Sequence, residues 1–324
     1  MSGKIDEYLK GIKSAAIAGH VNPDGDCVGS CCGLYSYITE NYPEISVDLY
    51  LEDFKPVFGF LKGTADARST YDGTAYERIF LLDVSSAERI GVSQDLLTAG
   101  KHSLCIDHHI SNPGFAEENI IEADASSASE VLYTLFAPEK VSENTAAAIY
   151  TGIVHDSGVF QYSSTGKRTM DIAGVLMEKK IPFTEIIQNT YFSRTFAETR
   201  ILGLALGRMQ QFFEGKCVFS YVEQKEMEEY GVTKAGLDGI VAQMKLTQGV
   251  EIAVFVYPGP DPEKSTKVSL RSSNGANVSL LAQKFGGGGH VRAAGCTLQV
   301  PVREAAGILF PAVVEELRRT GFLA

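Results

Sequence analysis

The residues best equipped for chemistry lie near the start of the chain, where His20-Val21-Asn22-Pro23-Asp24-Gly25-Asp26 packs one imidazole and two carboxylates into seven positions. Carboxylates two residues apart, with a histidine four before the first, repel one another unless a cation sits among them. The spacing therefore points to a divalent metal site with further ligands elsewhere in the chain. A plainer use of the same residues is helix capping by Asp24 and Asp26, with His20 as a satisfied strand-end polar group. On this stretch alone the two stand level.

Three later stretches offer partners: Leu82-Asp83-Val84, Asp107-His108-His109, and Val154-His155-Asp156-Ser157-Gly158. Asp156 taken alone reads as a helix-end turn residue, and His155 is not needed for the set. Together His20, Asp24, Asp26, Asp83, His108 and Asp156 give two imidazoles and four carboxylates without a thiolate. Such a set is hard to borderline and suits manganese, ahead of magnesium or cobalt and over a structural zinc. Four aspartates also balance two divalent ions; without metal, the clustered carboxylates would be pushed up in pKa at a cost in stability. Two ions about 3.5–4 Å apart bind a bridging water, lower its pKa and hold a phosphoryl group for in-line attack. The implied reaction is hydrolysis of a phosphate ester or anhydride. Asp83, His109 and Asp107 are the groups assigned to the chemistry itself. His109 is placed to bind phosphoryl oxygens or help the leaving group, and Asp107 to orient the imidazole beside it.

The elements that must position these groups alternate through the first half. Strands are expected over 14–19, 47–51, 78–83 and 103–107, with helices over 27–41 and from 127 and 143, the last rich in alanine and suited to close packing. That is βαβ organisation, an α/β domain with a doubly wound, mostly parallel sheet. Parallel strands would bring every candidate to one sheet edge, the carboxyl ends, where ligands bind in such folds. Helices are expected over 169–180, 182–190 and 194–209. Strands over 210–213, 217–222, 250–257 and 266–271, with a helix over 237–245, then read as a smaller α+β unit. The expected division is a metal-binding catalytic domain over 1–190, a connector over 191–210 and a substrate-binding domain over 211–324, with the active site in the cleft between the domains.

The second informative stretch is Phe285-Gly286-Gly287-Gly288-Gly289-His290-Val291-Arg292. Glycines without side chains let successive N–H groups approach phosphate or ribose oxygens. Gly287, Gly288, Gly289 and His290 are read as an anion cradle, with Arg271 as co-ligand. The plainer alternative is a loose linker, but a helix expected over 277–284 and the small run Ala293-Ala294-Gly295 flank it.

Bulk properties narrow the function. A chain of 324 residues suits two domains. No apolar run approaches the roughly 18 residues a membrane helix needs, and the N-terminus lacks a signal-peptide core, so a cytoplasmic protein without a membrane partner is expected. Six cysteines without a C-x-x-C pair read as small core residues in a reducing compartment. The formal charge of −11 disfavours a long DNA or RNA groove. A small anionic substrate remains allowed, because metal ions and local arginines reverse the field inside a cleft. A homodimer is compatible with all of this.

At this point the motifs form a pattern. His20-x-x-Pro-Asp-Gly-Asp-x-x-Gly-Ser, Leu82-Asp83-Val84-Ser85, Asp107-His108-His109 and Gly152-x-x-x-Asp156 resemble the four motifs of the DHH phosphoesterase family. The Gly-Gly-Gly-Gly-His stretch is similar to the signature of its DHH-associated C-terminal domain. The length, without sensor or membrane domains, looks most like the nanoRNase/pAp phosphatase (NrnA-type) branch. The resemblance implies that His20, Asp24 and Asp83 hold one manganese ion, and that Asp26, Asp83, His108 and Asp156 hold the other. It likewise implies that His109 contacts substrate and that Arg271, Gly287, Gly288, Gly289 and His290 contact the nucleotide end. The implied activity is degradation of two- to five-nucleotide RNA to mononucleotides and dephosphorylation of 3′-phosphoadenosine 5′-phosphate. Alternatives are a phosphodiesterase for linear or cyclic dinucleotides (pGpG, pApA, cyclic di-AMP) and a non-catalytic nucleotide sensor. A family II pyrophosphatase lacks a use for the glycine cradle, and a processive RecJ-type exonuclease needs a basic channel.

Overall fold

The computed structural model describes residues 3–273 and 275–324, and it separates into two units, Met1–Ser193 and Arg194–Ala324. In the first, helix α1 (Lys4–Leu9) precedes β1 (Ser14–Ala18), α2 (Gly25–Asn41), β2 (Ser46–Tyr50), β3 (Tyr76–Leu82), β4 (Gly100–Asp107) and β5 (Glu118–Ile121). Helices α3 (Ala128–Leu135), α4 (Glu143–Asp156), α5 (Lys167–Glu178) and α6 (Phe183–Ile186) follow, and a π-helical turn, Ile187–Phe192, ends the unit.

The five strands pair in the order β2-β1-β3-β4-β5, all parallel. From β1 the chain runs to one side for β2 and returns across it for β3. The switch point therefore lies between β1 and β3, where a parallel sheet opens a crevice at its carboxyl ends. Ile17, Phe80, Leu82, Leu104 and Ile106 pack on one face with the buried sides of α2 to α5. Ala16, Ala18, Ile79, Leu81 and Cys105 face the other way, against Ile90 and Leu96 of the connections. That face is covered by short 3₁₀ turns, among them Ala87–Arg89 and Gln94–Thr98. The connection from β2 to β3 carries Pro56, Gly59, Gly63 and Gly73, residues that break helices.

Helix α2 starts two residues before the expected position because Asp24 caps it, accepting from the N–H groups of Asp26 (3.0 Å) and Cys27 (3.1 Å). The capping use of Asp24 is thus real, and it coexists with the metal reading rather than replacing it. Further along, α2 crosses α4 through glycines. A Cβ on Gly29 would stand 2.6 Å from the Gly152 nitrogen, and one on Gly152 would stand 1.9 Å from Ser129 Oγ and 2.6 Å from Asp26 Oδ1. The small residues of α4 therefore set how closely Asp26 and Asp156 approach.

The second unit runs α7 (Phe196–Gly207), β6 (Gln210–Phe212), β7 (Cys217–Tyr221), α8 (Gln224–Tyr230), α9 (Ile240–Lys245), β8 (Ile252–Pro258) and β9 (Thr266–Ser272). It closes with α10 (Val278–Gln283), β10 (Gly288–His290), β11 (Ala293–Leu298) and α11 (Ala305–Arg319). Its sheet order is β10-β11-β9-β8-β7-β6, antiparallel except for the β7–β8 pair. Helices α10 and α11 cover Ile252, Val254 and Leu270, and helices α7 to α9 cover Val218, Ala253 and Phe255 on the other face. All six cysteines are free and buried, as their sequence context suggested. Among the described residues no helix is long and apolar enough to cross a membrane.

The helix crossing generates a test. Gly174 lies in α5 with nothing within 4 Å of its would-be Cβ. Gly174→Ala is expected to raise stability by up to about 1 kcal/mol, the ordinary gain of helix propensity. Gly29→Ala should instead lower it by about 1–3 kcal/mol through overpacking. Urea unfolding midpoints check both signs.

Candidate metal centre

Each candidate in the first unit lies at or beyond the carboxyl end of a strand or at a helix terminus that meets that edge. His20 follows β1, Asp83 follows β3, and His108 and His109 follow β4, while Asp24 and Asp26 open α2 and Asp156 ends α4. Asp83 has φ +58°, a left-handed backbone unusual for a residue with a side chain. Such a conformation costs of order 1–3 kcal/mol and persists only where its surroundings demand it. Asp26 is fully buried, and its carboxylate accepts from the N–H groups of Ala128 (2.6 Å) and Ser129 (3.0 Å). Those donors are the opening turn of α3, whose partial positive charge favours an anion there.

The ligand atoms fall into two neighbouring triads, and one carboxylate of the first also reaches the second. His20 Nε2 lies 3.7 Å from Asp24 Oδ1 and 3.5 Å from Asp83 Oδ2. His108 Nε2 lies 3.2 Å from Asp156 Oδ2, 4.0 Å from Asp26 Oδ2 and 3.6 Å from Asp83 Oδ1. Asp83 thus turns one oxygen to each triad. The triads His20, Asp24, Asp83 and Asp26, His108, Asp156 each form a set of mutually close ligand atoms. All six metal-ligand candidates named from the sequence are therefore brought together.

Separations of 3.5 Å and more are too long for good hydrogen bonds. They suit atoms that share a small cation, since ligands about 2.1 Å from one ion stand about 3 Å apart at right angles. The fit is strongest at Asp83, whose Oδ1 is buried with no hydrogen-bond partner. A buried carboxylate oxygen left without a donor is costly unless a charge compensates it. The donor set, oxygen-rich with two imidazoles, fits divalent metal ions.

Proton affinities carry the same strain. Burial and the neighbouring Asp26 carboxylate push Asp83 well above the usual carboxyl range. Burial, with Asp26 and Asp24, does the same to Asp156. Burial raises Asp26 too, although the charge of His108 opposes it. His20 is pushed up, because Asp24 and Asp83 outweigh the burial that disfavours its charge. Asp24 is held down at about 2, the His20 imidazole and two backbone N–H groups overcoming its burial.

Behind the ligands, Asp107 is fully buried and both of its oxygens are engaged. Oδ1 meets His109 Nδ1 at 2.8 Å and accepts from the His108 N–H at 2.8 Å, while Oδ2 accepts from Asn112 Nδ2 at 2.7 Å. The imidazole that Asp107 orients is that of His109. His108 is steadied by the Ala125 carbonyl, 3.3 Å from its Nδ1. Asp107, read from the sequence as the group that orients the imidazole beside it, spends both oxygens on His108, His109 and Asn112. Asn112, which also donates to the Val84 carbonyl at 3.0 Å, was not anticipated; a helix from 127 was, but not that its first N–H groups would hold Asp26. The Ser127-x-x-Glu130 pattern was a readable sign of that helix start. His155 packs structurally, with Nε2 2.9 Å from Thr190 Oγ1 and burial lowering its pKa to about 4.

In the second unit the glycines do other work than expected. Gly286, at φ +70°, and Gly287 end α10 in a Schellman turn, their N–H groups going to Gln283 O (3.1 Å) and Ala282 O (3.0 Å). The Gly287 N–H is thus already donated, and Gly287 is corrected from cradle donor to helix cap. Gly289 lets β10 lie on β11, since a Cβ there would stand 2.5 Å from Ala293 O. Gly286 and Gly288 have open space where a Cβ would stand. Arg271 and His290 both pair with Ala293, one on each side, so the three share a row on one sheet face. Arg271 Nη1 donates to Leu270 O at 3.0 Å, and His290 is exposed.

Comparison with known proteins agrees with this division. Residues 14–153 match the model of the DHH family, N-terminal domain, and residues 214–317 match the DHHA1 domain. A protein of Thermus thermophilus named bifunctional oligoribonuclease and PAP phosphatase NrnA is 28% identical, covering 98% of this chain and 95% of its own. A Bacillus subtilis protein of the same name is 27% identical over 86% of this chain and 87% of its own. The crystal structure of an exopolyphosphatase-related protein from Bacteroides fragilis shares the fold, with a TM-score of 0.88, 24% identity and coverage of 97% and 95% of the two chains.

The charge balance predicts how stability responds to pH. Groups raised in the folded state favour unfolding as pH climbs beyond their ordinary values, and Asp26, Asp83, Asp156 and His20 all act in that direction. Asp24 and Asp107, both lowered, act only on the acid side, where stability is lost as pH falls. In chelator the Tm is expected to fall between about pH 5 and 8, and with divalent ion to hold or rise, because ligation needs deprotonated groups. A chelated protein that gains stability across that window contradicts the metal reading.

Proposed function

The chain belongs to the DHH family, with a DHHA1 domain following its DHH domain, and on that footing we propose that it hydrolyses short oligoribonucleotides to mononucleotides and dephosphorylates 3′-phosphoadenosine 5′-phosphate. The observation that carries this reading is the Asp83 carboxylate, one oxygen turned to each of two histidine–aspartate triads and one of them buried without a donor. His20, Asp24 and Asp83 would hold one divalent ion, and Asp26, Asp83, His108 and Asp156 the other, manganese suiting this donor set best. Such a pair supplies Lewis-acid stabilisation of a phosphoryl group and makes solvent water acidic enough to attack near neutral pH.

The remaining roles fall to the chain itself. Asp107, fixed by Asn112, holds His109 by Nδ1. His109 Nε2 is then the nitrogen left for a phosphoryl or leaving-group oxygen, and the ring is about one-third exposed, its side chain at 31%. Arg271 and His290, in one row across Ala293, are assigned the nucleotide-end phosphate, with Gly288 allowing close approach. Short substrates fit a chain of net charge −11, since long nucleic acid is gripped by a positive surface. Six free, buried cysteines suit a cytoplasmic setting.

Purified protein with manganese is expected to release mononucleotides from a 5′-phosphorylated dinucleotide and to stop on chelation. Asp83→Ala should abolish turnover. Asp107→Asn should lower kcat by about 10- to 100-fold, the usual cost of losing a supporting partner. Arg271→Ala should raise KM for the dinucleotide far more than for bis-p-nitrophenyl phosphate. Tight dinucleotide binding without any product would make the protein a sensor and overturn the proposal.

A further inference from the structure

Beside Asp156 the first unit carries an aromatic wall that the phosphoryl chemistry does not use. After α4 the backbone passes through three successive left-handed residues, Gly158 (φ +59°), Val159 (φ +55°) and Phe160 (φ +63°). The coil is pinned by hydrogen bonds from Val159 N–H to Val154 O (2.8 Å), Phe160 N–H to Ser157 Oγ (3.0 Å) and Tyr162 N–H to Ser157 O (2.9 Å). Its product is the placement of Tyr162, whose ring lies on Gly158 so closely that a Cβ there would stand 2.4 Å from the ring. Tyr162 is nevertheless 49% exposed. Strain of this kind clusters at functional sites and is held by what surrounds it.

The wall continues through the π-helical turn Ile187–Phe192, itself a rare element that recurs at functional sites. The Tyr162 and Tyr191 hydroxyls are 3.4 Å apart, and the Phe192 ring stands at 82° to that of Tyr191, centroids 5.2 Å apart. Phe192 is 55% exposed. Behind them the Tyr191 ring packs on His155 at 5.5 Å. His155 in turn is pressed against Gly25, where a Cβ would stand 2.1 Å from its Cγ. The wall is therefore tied rigidly to both ends of the metal centre, Asp24 to Asp26 on one side and Asp156 on the other.

Isolated exposed aromatics are ordinary on protein surfaces. Two half-exposed rings, one just after the left-handed coil and one in the π-helical turn, joined through Tyr191 and anchored to the ligand-bearing segments, are not isolated. We infer that Tyr162 and Phe192 form a stacking platform for the nucleobase adjoining the scissile phosphate. The inference rests on the proposed nucleotide substrate and names the residues that would recognise its base. Flat π faces stack any base, which suits an enzyme that clears short RNA of mixed sequence.

The test compares a 5′-phosphorylated dinucleotide with its abasic counterpart, in which tetrahydrofuran replaces the base-bearing sugars. Phe192→Ala and Tyr162→Ala should each raise KM for the dinucleotide by roughly 5- to 100-fold, the usual worth of one base stacked on one ring. KM for the abasic substrate and kcat for both should stay within about twofold, and Phe192→Trp and Tyr162→Phe should restore wild-type KM. Phe192 is exposed enough for its truncation to leave the fold intact, which a thermal melt verifies. Equal changes on both substrates, or none on either, overturn the platform while leaving the hydrolase reading in place. Failure of the wild type to cleave the dinucleotide removes that reading, and the platform with it.

Discussion

One carboxylate carries the electrostatic tension of this structure. Asp83 is buried on a left-handed turn at the mouth of β3, among three imidazoles at 3.5–3.6 Å, none close enough to satisfy it. Burial and Asp26 press it toward the neutral form. Protein folds remove such tension by close pairing or by hydrogen bonds, and here no hydrogen bond reaches Oδ1. Divalent metal bound there would resolve it, and would account for four aspartates and two histidines at a single sheet edge.

The rest of the first unit follows from the need to hold those groups close. The all-parallel order β2-β1-β3-β4-β5 sends β1, β3 and β4 to a common edge. The Gly29–Gly152 crossing lets α2 and α4 approach until Asp26 touches the space a Gly152 side chain would fill. The amino end of α3 answers part of the charge on Asp26, and Asn112 fixes Asp107 so that His109 presents one nitrogen outward. Packing, helix polarity and hydrogen bonding thus converge on one small volume.

Much of this was legible in the sequence, for identifiable reasons. Apolar strands ending in Asp83 and Asp107 announced a buried parallel sheet, and the His20–Asp26 spacing announced clustered charge before any geometry was known. Shorter elements were not visible. The edge strand β5 has four residues, and β10 (Gly-Gly-His) and the first half of β11 (Ala-Ala-Gly) are mostly glycine and alanine, which carry little strand signal. The glycine run misled for the same reason. A glycine needed for a helix cap and one needed for a phosphate look alike in sequence, and only the hydrogen bonds of Gly286 and Gly287 tell them apart. Asp107 was placed correctly beside an imidazole, but which imidazole depends on how the chain turns after β4.

The central claim is that Asp83 is shared by two cations, and anomalous X-ray scattering from crystals grown with manganese addresses it directly. The account predicts two peaks about 3.5–4 Å apart, one on each side of the Asp83 carboxylate, the first against His20 and Asp24 and the second against Asp26, His108 and Asp156. A single peak, or peaks that leave Asp83 unligated, would contradict it.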